Sequence, residues 1–306
     1  MREAMGISNA SVGAAVVESY ELPPVRSGAE MLRRGLTRHV VGVVAGVIVA
    51  LLVLMAVFAP LIAPHSATSH DAAPLERPSW SHVAGTDNTG RDVFSRTVHG
   101  ARVSLGVAFI AVGIGTVVGV FGGLYSGYRG GMTDRINQFT LDVGLSFPGI
   151  LPLLVAVGAF GASFWVLTLA IAFTSMPVVM RVVRGAVLKE KQSTYIEAAR
   201  TLGASDRRIV FRHLLPNVAP LVIVLASAGI PAAILSEAAL SFLGLGIQPP
   251  TPSWGGDLSG EARRFFEHQP WMALSPGIAL SLAVLAFNLL GDTLRDVLDP
   301  RMRGGR

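Results

Sequence analysis

Side chains that could perform covalent chemistry are few in this 306-residue chain. It has no Cys, which excludes thiolate catalysis, thiolate metal ligation and disulfides. No G-x-x-x-x-G-K-[ST] stretch occurs, and the phosphate-binding loop of a P-loop ATPase needs those residues. Ser163 follows Gly161-Ala162, but no His or Asp lies on a following apolar segment to activate it. We therefore predict that the chain is not an enzyme and holds no cofactor.

Four histidines, His65, His70, His82 and His99, fall within one polar stretch. They lack the i,i+4 helical spacing that is typical of paired metal ligands. The sequence therefore predicts surface-loop histidines and no metal site.

Glu237 is the acidic residue that lies far from either end of a long apolar segment. An ionisable group inside a membrane usually has a functional role. Two interpretations stay open. In the first, Glu237 pairs with a partner group or lines a transport path. In the second, it relays protons in a stand-alone secondary transporter.

A polar stretch at 184–217 separates two long apolar segments and has a helical pattern. Ser193 or Thr194 is predicted to cap a first short helix. Gly203 is placed to end that helix in a left-handed turn. A second short helix is predicted to stop at Pro216, which cannot donate a backbone hydrogen bond.

Composition predicts that these elements belong to a membrane protein. The chain is 51% hydrophobic and 15% charged, with a mean hydropathy of +0.54, whereas soluble domains are about 25% charged. About 20 apolar residues cross a bilayer as a helix. The first apolar run is too long for a signal peptide and is predicted to be retained. The predicted fold is an all-α integral membrane bundle of six transmembrane helices, about 40–63, 103–124, 139–160, 164–183, 218–246 and 272–291.

Basic residues predict the orientation of this bundle. Nineteen of the 25 Lys and Arg residues fall in one set of alternating loops, and such residues favour the cytoplasmic side. Both termini are therefore predicted to be cytoplasmic. The predicted parts are a tail at 1–38, a membrane domain at 39–291 and a tail at 292–306.

One spaced motif in the polar stretch resembles that of a known family. Glu197-Ala198-Ala199 is followed after three residues by Gly203, and nine residues later by a stretch ending in Leu215-Pro216. This resembles the EAA signature of ABC importer permeases. His213 replaces the usual Ile, and Arg212-His213-Leu214-Leu215-Pro216-Asn217 is similar to the peptide-transporter branch.

Three further segments resemble the C-type permease subunit of dipeptide, oligopeptide and nickel transporters. They are GTDNTGRDVFSR at 85–96, EAALSFLGLGIQPPTPSWG at 237–255 and GDTLRDVLDPR at 291–301. The resemblance covers about residues 33–303.

The resemblance implies one permease half of an ATP-driven importer for di- or oligopeptides in the bacterial inner membrane. A homologous second permease, two ABC ATPase domains that bind ATP and Mg²⁺, and an extracytoplasmic solute-binding protein would complete it; nucleic acid is not expected. The short helices of the coupling loop 184–217 would dock on the ATPases through the EAA motif: Glu197, Ala198, Ala199, Gly203, Leu215 and Pro216.

The stretch after Glu237 is predicted to form the outer rim of the path. Pro249 and Pro250 favour a stiff, extended backbone, and Trp254 has the amphipathic ring that is typical of a membrane interface. The rim is the expected docking place of the binding protein. The alternative is a rigid connector with an interfacial anchor.

Small residues predict where the helices pack. Gly115, Gly119, Gly123 and Gly127 form one face of the second predicted span, and such faces allow close approach of another helix. The partner helix could belong to this chain or to a second permease. Pro148 and Pro152 in the third span predict a kink.

Overall fold

The structure, a computed structural model, describes residues 40–298, and these residues contain no β-strand. An all-α fold is confirmed. The predicted tail at 1–38 and residues 299–306 lie outside the described residues. The helices of the described part are α1 (Val40–Val57), α2 (Ala59–Ile62), α3 (Val93–Arg129), α4 (Gly131–Leu145), α5 (Ile150–Phe160), α6 (Phe164–Glu190), α7 (Thr194–Thr201), α8 (Asp206–Arg208), α9 (Leu215–Phe242), α10 (Trp254–Asp257), α11 (Gly260–Arg264) and α12 (Trp271–Leu298).

Five helical runs between 40 and 298 are long and apolar enough to cross a membrane. They are α1, α3, α6, the run Asp206–Phe242 and α12. A sixth span is present if α4 and α5 together count as one. The observed helices extend beyond several predicted spans, since α6 reaches Glu190 and α12 reaches Leu298.

The third predicted span is broken rather than continuous. Helices α4 and α5 meet at an angle of 84° across residues 146–149. Pro148 lies in this break, where it cannot continue the helical hydrogen-bond ladder. Pro152 lies in the first turn of α5, where a missing N–H costs little. The predicted kink is therefore present, as a break between two helices within 139–160.

The glycine face of α3 packs against α6 of the same chain. A Cβ atom at Gly123 would lie 2.7 Å from the carbonyl oxygen of Met180, and one at Gly119 would lie 2.8 Å from Cβ of Val179. A Cβ atom at Gly115 or Gly127 would also lie within 3.0 Å of an atom of α6. These backbones approach as only glycine allows, so the intramolecular interpretation of the glycine pattern is confirmed.

Pro216 does not end a helix, contrary to the prediction. Residues Ile209–Leu214 form a π-helical turn that joins α8 to α9 without interruption. Pro216 follows this turn in the first turn of α9. A π-helical turn has hydrogen bonds from residue i to i+5, so it interrupts the regular α-helical hydrogen bonds. The missing N–H of Pro216 is accommodated at this interruption.

The two ends of α3 define the two regions that matter below. Tyr128 near its last residue belongs to the same apolar cluster as Ile196 of α7, the helix that carries the EAA motif, and Ile209 of the π-helical turn; this is the EAA end. Its first residues contact α10 through Trp254; this is the Trp254 end. A helix of 37 residues spans about 55 Å, so the two regions lie at opposite ends of the bundle.

Candidate functional site

The EAA motif forms the short helix α7, as the spacing predicts. Ser193 is the N-cap residue, but its hydroxyl donates to the carbonyl oxygen of Glu190 at 2.7 Å and does not cap α7. The alternative cap, Thr194, is wrong because Thr194 already lies within the helix. The backbone of Ser193 itself begins the helix, since its carbonyl accepts from Ile196 and Glu197.

One face of α7 is anchored and the other is free. Ile196 is completely buried among apolar side chains of α3, α6 and α9. Glu197 and Ala198 are exposed, and Ala199 is half-buried. Leu202, just after the helix, is 87% exposed. The exposed face is therefore small, has a carboxylate at one end and a large apolar side chain at the other, and suits contact with another protein.

Gly203 ends this surface in the predicted left-handed conformation, with φ +79°. A Cβ atom at this position would meet no atom within 4 Å. Backbone conformation rather than space therefore requires glycine here. The amide of Ala204 then donates to the carbonyl oxygen of Ala199 at 3.0 Å, which closes the turn.

Tyr195 joins α7 to both neighbouring long helices. Its hydroxyl donates to Oε1 of Glu190 at 2.6 Å and accepts from Nδ2 of Asn217 at 2.8 Å. Burial, together with the bond to Glu190, raises the pKa of Tyr195 above its usual value. The phenol therefore stays a hydrogen-bond donor at neutral pH. The sequence did not point to Tyr195, because its two partners lie on different helices.

A second connection at the EAA end runs through Tyr128 at the end of α3. Its hydroxyl donates to Oδ1 of Asp206, and its carbonyl oxygen accepts from Nζ of Lys191 at 2.6 Å. The guanidinium of Arg200 lies 5.6 Å from the Tyr128 ring centroid, which is a favourable cation–π distance. The EAA helix α7 is therefore connected to α3 through Arg200 and Tyr128, and to α6 and α9 through Tyr195.

Leu215 and Pro216, the end of the spaced motif, begin α9 directly after the π-turn. Leu215 is half-buried against the same apolar cluster as Ile196, and Pro216 is exposed. The two parts of the motif are therefore linked through a shared core, although they are separated in sequence.

At the Trp254 end, Trp254 is a core residue and not an interfacial anchor. It is completely buried, and its indole Nε1 donates to the carbonyl oxygen of Thr97 at 2.9 Å. Gly255 follows it so closely that a Cβ atom there would lie 2.4 Å from Cα of Ala238. The interfacial prediction is wrong because residues 253–257 turn inward between α3 and α9.

Glu237 belongs to the same buried region. Its carboxylate oxygens accept from the hydroxyls of Ser104 at 2.9 Å and Ser241 at 2.7 Å. The Ser104 oxygen also accepts from the backbone amide of Trp254 at 3.2 Å. Glu237 is completely buried and forms no ion pair with another described residue. It thus lies inside the helix packing and connects α3, α9 and α10.

Pro249 and Pro250 lie in a turn, contrary to the predicted extended rim. Gln248 holds the start of this turn, since its Nε2 donates to the carbonyl oxygens of Gly244 and Gly246, both at 3.0 Å. Arg96 donates to the carbonyl oxygen of Pro250 at 3.3 Å and forms a largely buried ion pair with Asp257. Local hydrogen bonds to these side chains outweigh the extended preference of proline.

The GTDNTGRD segment is the other wall of this region. Oδ1 of Asp87 accepts from the amides of Thr89 at 2.8 Å and Arg91 at 3.0 Å, and Oδ2 accepts from Nε of Arg91. Asp92 caps α3 by accepting from the amide of Ser95 at 2.7 Å. A cavity of about 270 Å³ opens between the two walls, lined by residues that include Asp87, Arg91, Arg96, Gln248, Pro249 and Asp257.

Two of the four predicted surface histidines come together here. His82 Nδ1 lies 3.0 Å from Oδ1 of Asp92, and the ring centroids of His65 and His82 are 4.6 Å apart. His70 and His99 instead contact the carbonyl oxygens of Thr89 and Ser95. His65 and His82 are loop residues, as predicted, but they are only partly exposed and their rings lie side by side.

Long apolar helices joined by the short polar helix α7, one face of which is exposed, indicate a multi-pass membrane protein. Comparison with known families is consistent with this class. Residues 119–304 match the binding-protein-dependent transport system inner membrane component family, and residues 29–78 match the N-terminal transmembrane domain of oligopeptide transport permease C.

Individual relatives are similar over most of the chain. A glutathione transport system permease protein, GsiD, of Pectobacterium atrosepticum is 46% identical over 228 residues, which cover 74% of this chain and 75% of that protein. GsiD proteins of Escherichia coli O1:K1 and Shigella boydii are each 45% identical over 227 residues, with the same coverage. The chain belongs to the binding-protein-dependent inner membrane component family of ABC importer permeases. It is a multi-pass inner membrane transport subunit and not an enzyme.

Proposed function

We propose that this chain forms half of the translocation path of an ABC importer and couples to an ATPase through α7. The observation that carries the proposal is the free face of Glu197, Ala198 and Leu202 on a helix whose other face is anchored. Family membership supports the general assembly of two permeases, ATPases and a binding protein. The stand-alone proton carrier gains no support, since Glu237 is buried among serine hydroxyls.

Coupling follows from the connections of α7. A force on its free face reaches α6 through Tyr195 and Glu190, and α9 through Tyr195 and Asn217. Ile196 adds an apolar contact to the ends of α3 and α9. ATPase closure against this face would therefore move the ends of three long helices together, without any covalent step in this chain.

Glu197→Arg tests this proposal. The reversed charge is expected to weaken ATPase retention and peptide uptake together, since like charges at a contact cost affinity. Glu267→Arg is the matched control, because Glu267 is an equally exposed carboxylate beyond α11. Retention of the ATPase in washed membranes and uptake by intact cells are the two measurements. Normal retention and normal uptake in the Glu197 variant would refute the coupling role.

The proposed orientation places the EAA end and both termini in the cytoplasm. The native chain has no Cys, so introduced thiols report without background. Ser66→Cys should react with a membrane-impermeant maleimide in intact cells, and Arg207→Cys only after permeabilisation; both positions are exposed. Ser253, at the Trp254 end, is not suited as a second outside position for the label because it is 1% exposed. If position 207 is labelled in intact cells, the proposed orientation is wrong and the EAA end faces outward.

The proposed cargo is a short peptide, with glutathione as the first candidate because the similar GsiD proteins are named for its transport. The transporter complex, purified with its binding protein and placed in vesicles, would be supplied with labelled glutathione and ATP. Excess dipeptide or oligopeptide as competitor would rank the cargo classes. Labelled dipeptide and labelled oligopeptide would also be supplied in the same way. Failure of all three compounds to be imported, by a complex whose ATPase is active, would exclude the peptide class.

A further inference from the structure

His65, His82 and Asp92 form a cluster at the start of α3 that has no part in the proposed coupling at the EAA end. One potential ligand atom from each lies within 4.8 Å of the other two. Asp92 has a 1% exposed side chain and His82 a 12% exposed one. The three residues come from separate points of the 64–92 segment, which precedes α3.

Two hydrogen bonds hold the cluster in place. The amide of His65 donates to Oγ of Ser95 at 3.2 Å, and the amide of Ser95 donates to Oδ2 of Asp92 at 2.7 Å. Oδ2 is therefore engaged as a helix cap, while Oδ1 faces His82. A ligand bound at Oδ1 of Asp92 would therefore leave the hydrogen bond that caps α3 intact.

An unsatisfied atom points to a missing ligand. Nδ1 of His65 is buried and has no hydrogen-bond partner among residues 40–298, and such buried nitrogen atoms are costly unless they are paired. His65 also lines a cavity of about 460 Å³ with Pro60, Ser66, His99 and Pro252. This cavity supplies a route from solvent to the imidazole.

We propose that His65, His82 and Asp92 bind a late first-row divalent cation, with Zn²⁺ as the representative ion. Two imidazoles and one carboxylate are the donor set that Zn²⁺ accepts, with a fourth position for water. Ligand atoms about 2 Å from such an ion lie roughly 3.3 Å apart, so a modest ring rotation closes the observed spacing. Mg²⁺ and Ca²⁺ prefer all-oxygen sites and do not suit this cluster.

The ion would join residues 65, 82 and 92 at the start of α3. Its effect is to stabilise the segment that forms one wall of the Trp254 end. This role is independent of docking at the EAA end, which lies at the other end of α3.

The test is equilibrium binding of Zn²⁺ to the full chain in lipid nanodiscs, purified with a tag that contains no histidine. The native chain is expected to bind about one ion and to unfold at a higher temperature with Zn²⁺ than with EDTA. His65→Ala and His82→Ala should each weaken binding by about tenfold or more and remove the thermal shift. His70→Ala and His268→Ala are matched controls and should bind like the native chain.

Asp92→Asn keeps a capping acceptor but removes the charged ligand. It should unfold like the native chain in EDTA and bind Zn²⁺ more weakly. Excess Mg²⁺ or Ca²⁺ should leave Zn²⁺ binding unchanged. The proposal is overturned if the native chain binds no stoichiometric Zn²⁺, or if binding survives in both the His65 and His82 variants.

Discussion

The hydroxyl of Tyr195 accepts a hydrogen bond from Asn217 while it donates one to Glu190, so one side chain of the EAA helix connects two long helices. Glu190 ends α6 and Asn217 lies in the first turns of α9. This arrangement gives α7 a defined position relative to both helices, which a helix used as a lever requires.

Tyr195→Phe is therefore expected to lower coupling more than stability. It removes two hydrogen bonds, and a typical hydrogen bond contributes about 1 kcal/mol to stability. Uptake per ATP hydrolysed should fall, while ATPase retention stays near the native level because Glu197 and Ala198 are untouched. The ratio of uptake to ATP hydrolysis in vesicles is the measurement.

Tyr125→Phe is the matched control for this variant. Tyr125 is 53% exposed on α3, and its hydroxyl has no hydrogen bond to another described residue. Its substitution should leave the ratio unchanged. Equal ratios in the two variants would show that the Tyr195 contacts do not transmit movement.

Gly123→Ala should loosen the contact between α3 and α6. Its new methyl group would lie 2.7 Å from a backbone oxygen and 2.9 Å from Cβ of Val183, and neither can rotate away. Overpacking of this kind costs about 1–3 kcal/mol. Thermal unfolding in nanodiscs measures the loss.

Gly113→Ala provides the comparison on the same helix. A Cβ atom at Gly113 would have no neighbour within 4 Å, so this variant should unfold at or above the native temperature. A similar destabilisation in both variants would attribute the effect to the helix itself rather than to the α3–α6 contact.

Arg96→Met should destabilise the Trp254 end by about 3–5 kcal/mol, because it leaves the carboxylate of Asp257 buried without its cation. The side chains of this pair are 7% and 14% exposed. The double variant Arg96→Met with Asp257→Asn should lose less than the two single variants added together. Chemical unfolding of the four proteins gives the coupling energy.

The ion pair between Arg181 and Asp142 serves as the exposed reference. Its side chains are 46% and 65% exposed, so Arg181→Met should change the free energy of unfolding by less than about 1 kcal/mol. If the double variant at Arg96 and Asp257 loses as much stability as the two single variants added together, the assigned contact between these residues is wrong.

Acid should weaken the GTDNTGRD turn through Asp87. Burial raises the pKa of this carboxyl, but hydrogen bonds from Arg91 and Thr89 outweigh burial and hold its pKa below the usual value. A lowered pKa means that the carboxylate stabilises the folded turn above the unfolded pKa of about 3.9. This stabilisation disappears as the pH falls through the lower pKa of the folded carboxyl.

Pepsin cleavage within residues 64–92 between pH 4.5 and pH 2 measures this loss. The rate for the native chain is compared with that for Asp87→Asn at each pH, so the pH dependence of pepsin itself cancels. The cleavage rate of the native chain divided by that of Asp87→Asn should be below one at the higher pH values. This ratio should approach one at the acid limit. A ratio that does not change with pH would show that Asp87 contributes no such linkage.

The sequence alone determined the features that depend on local pattern. Apolar runs long enough for a bilayer predicted the helical membrane fold, and the spacing from Glu197 to Gly203 predicted a short helix that ends in a left-handed glycine. Both follow from hydrogen bonding and periodicity within a few residues. The glycine face of α3 was also readable, although its partner was not.

Tertiary structure decided the features that join distant parts of the chain. Ser104 and Trp254 meet across 150 residues, and Arg96 and Asp257 across 161; no local pattern encodes either contact. Trp254 has the amphipathic ring that is typical of an interfacial anchor. It becomes a core residue only because α3 and α9 leave room for this ring. His65 and His82 likewise become neighbours only when the segment before α3 folds back, since proximity in a folded chain depends on packing and not on sequence separation.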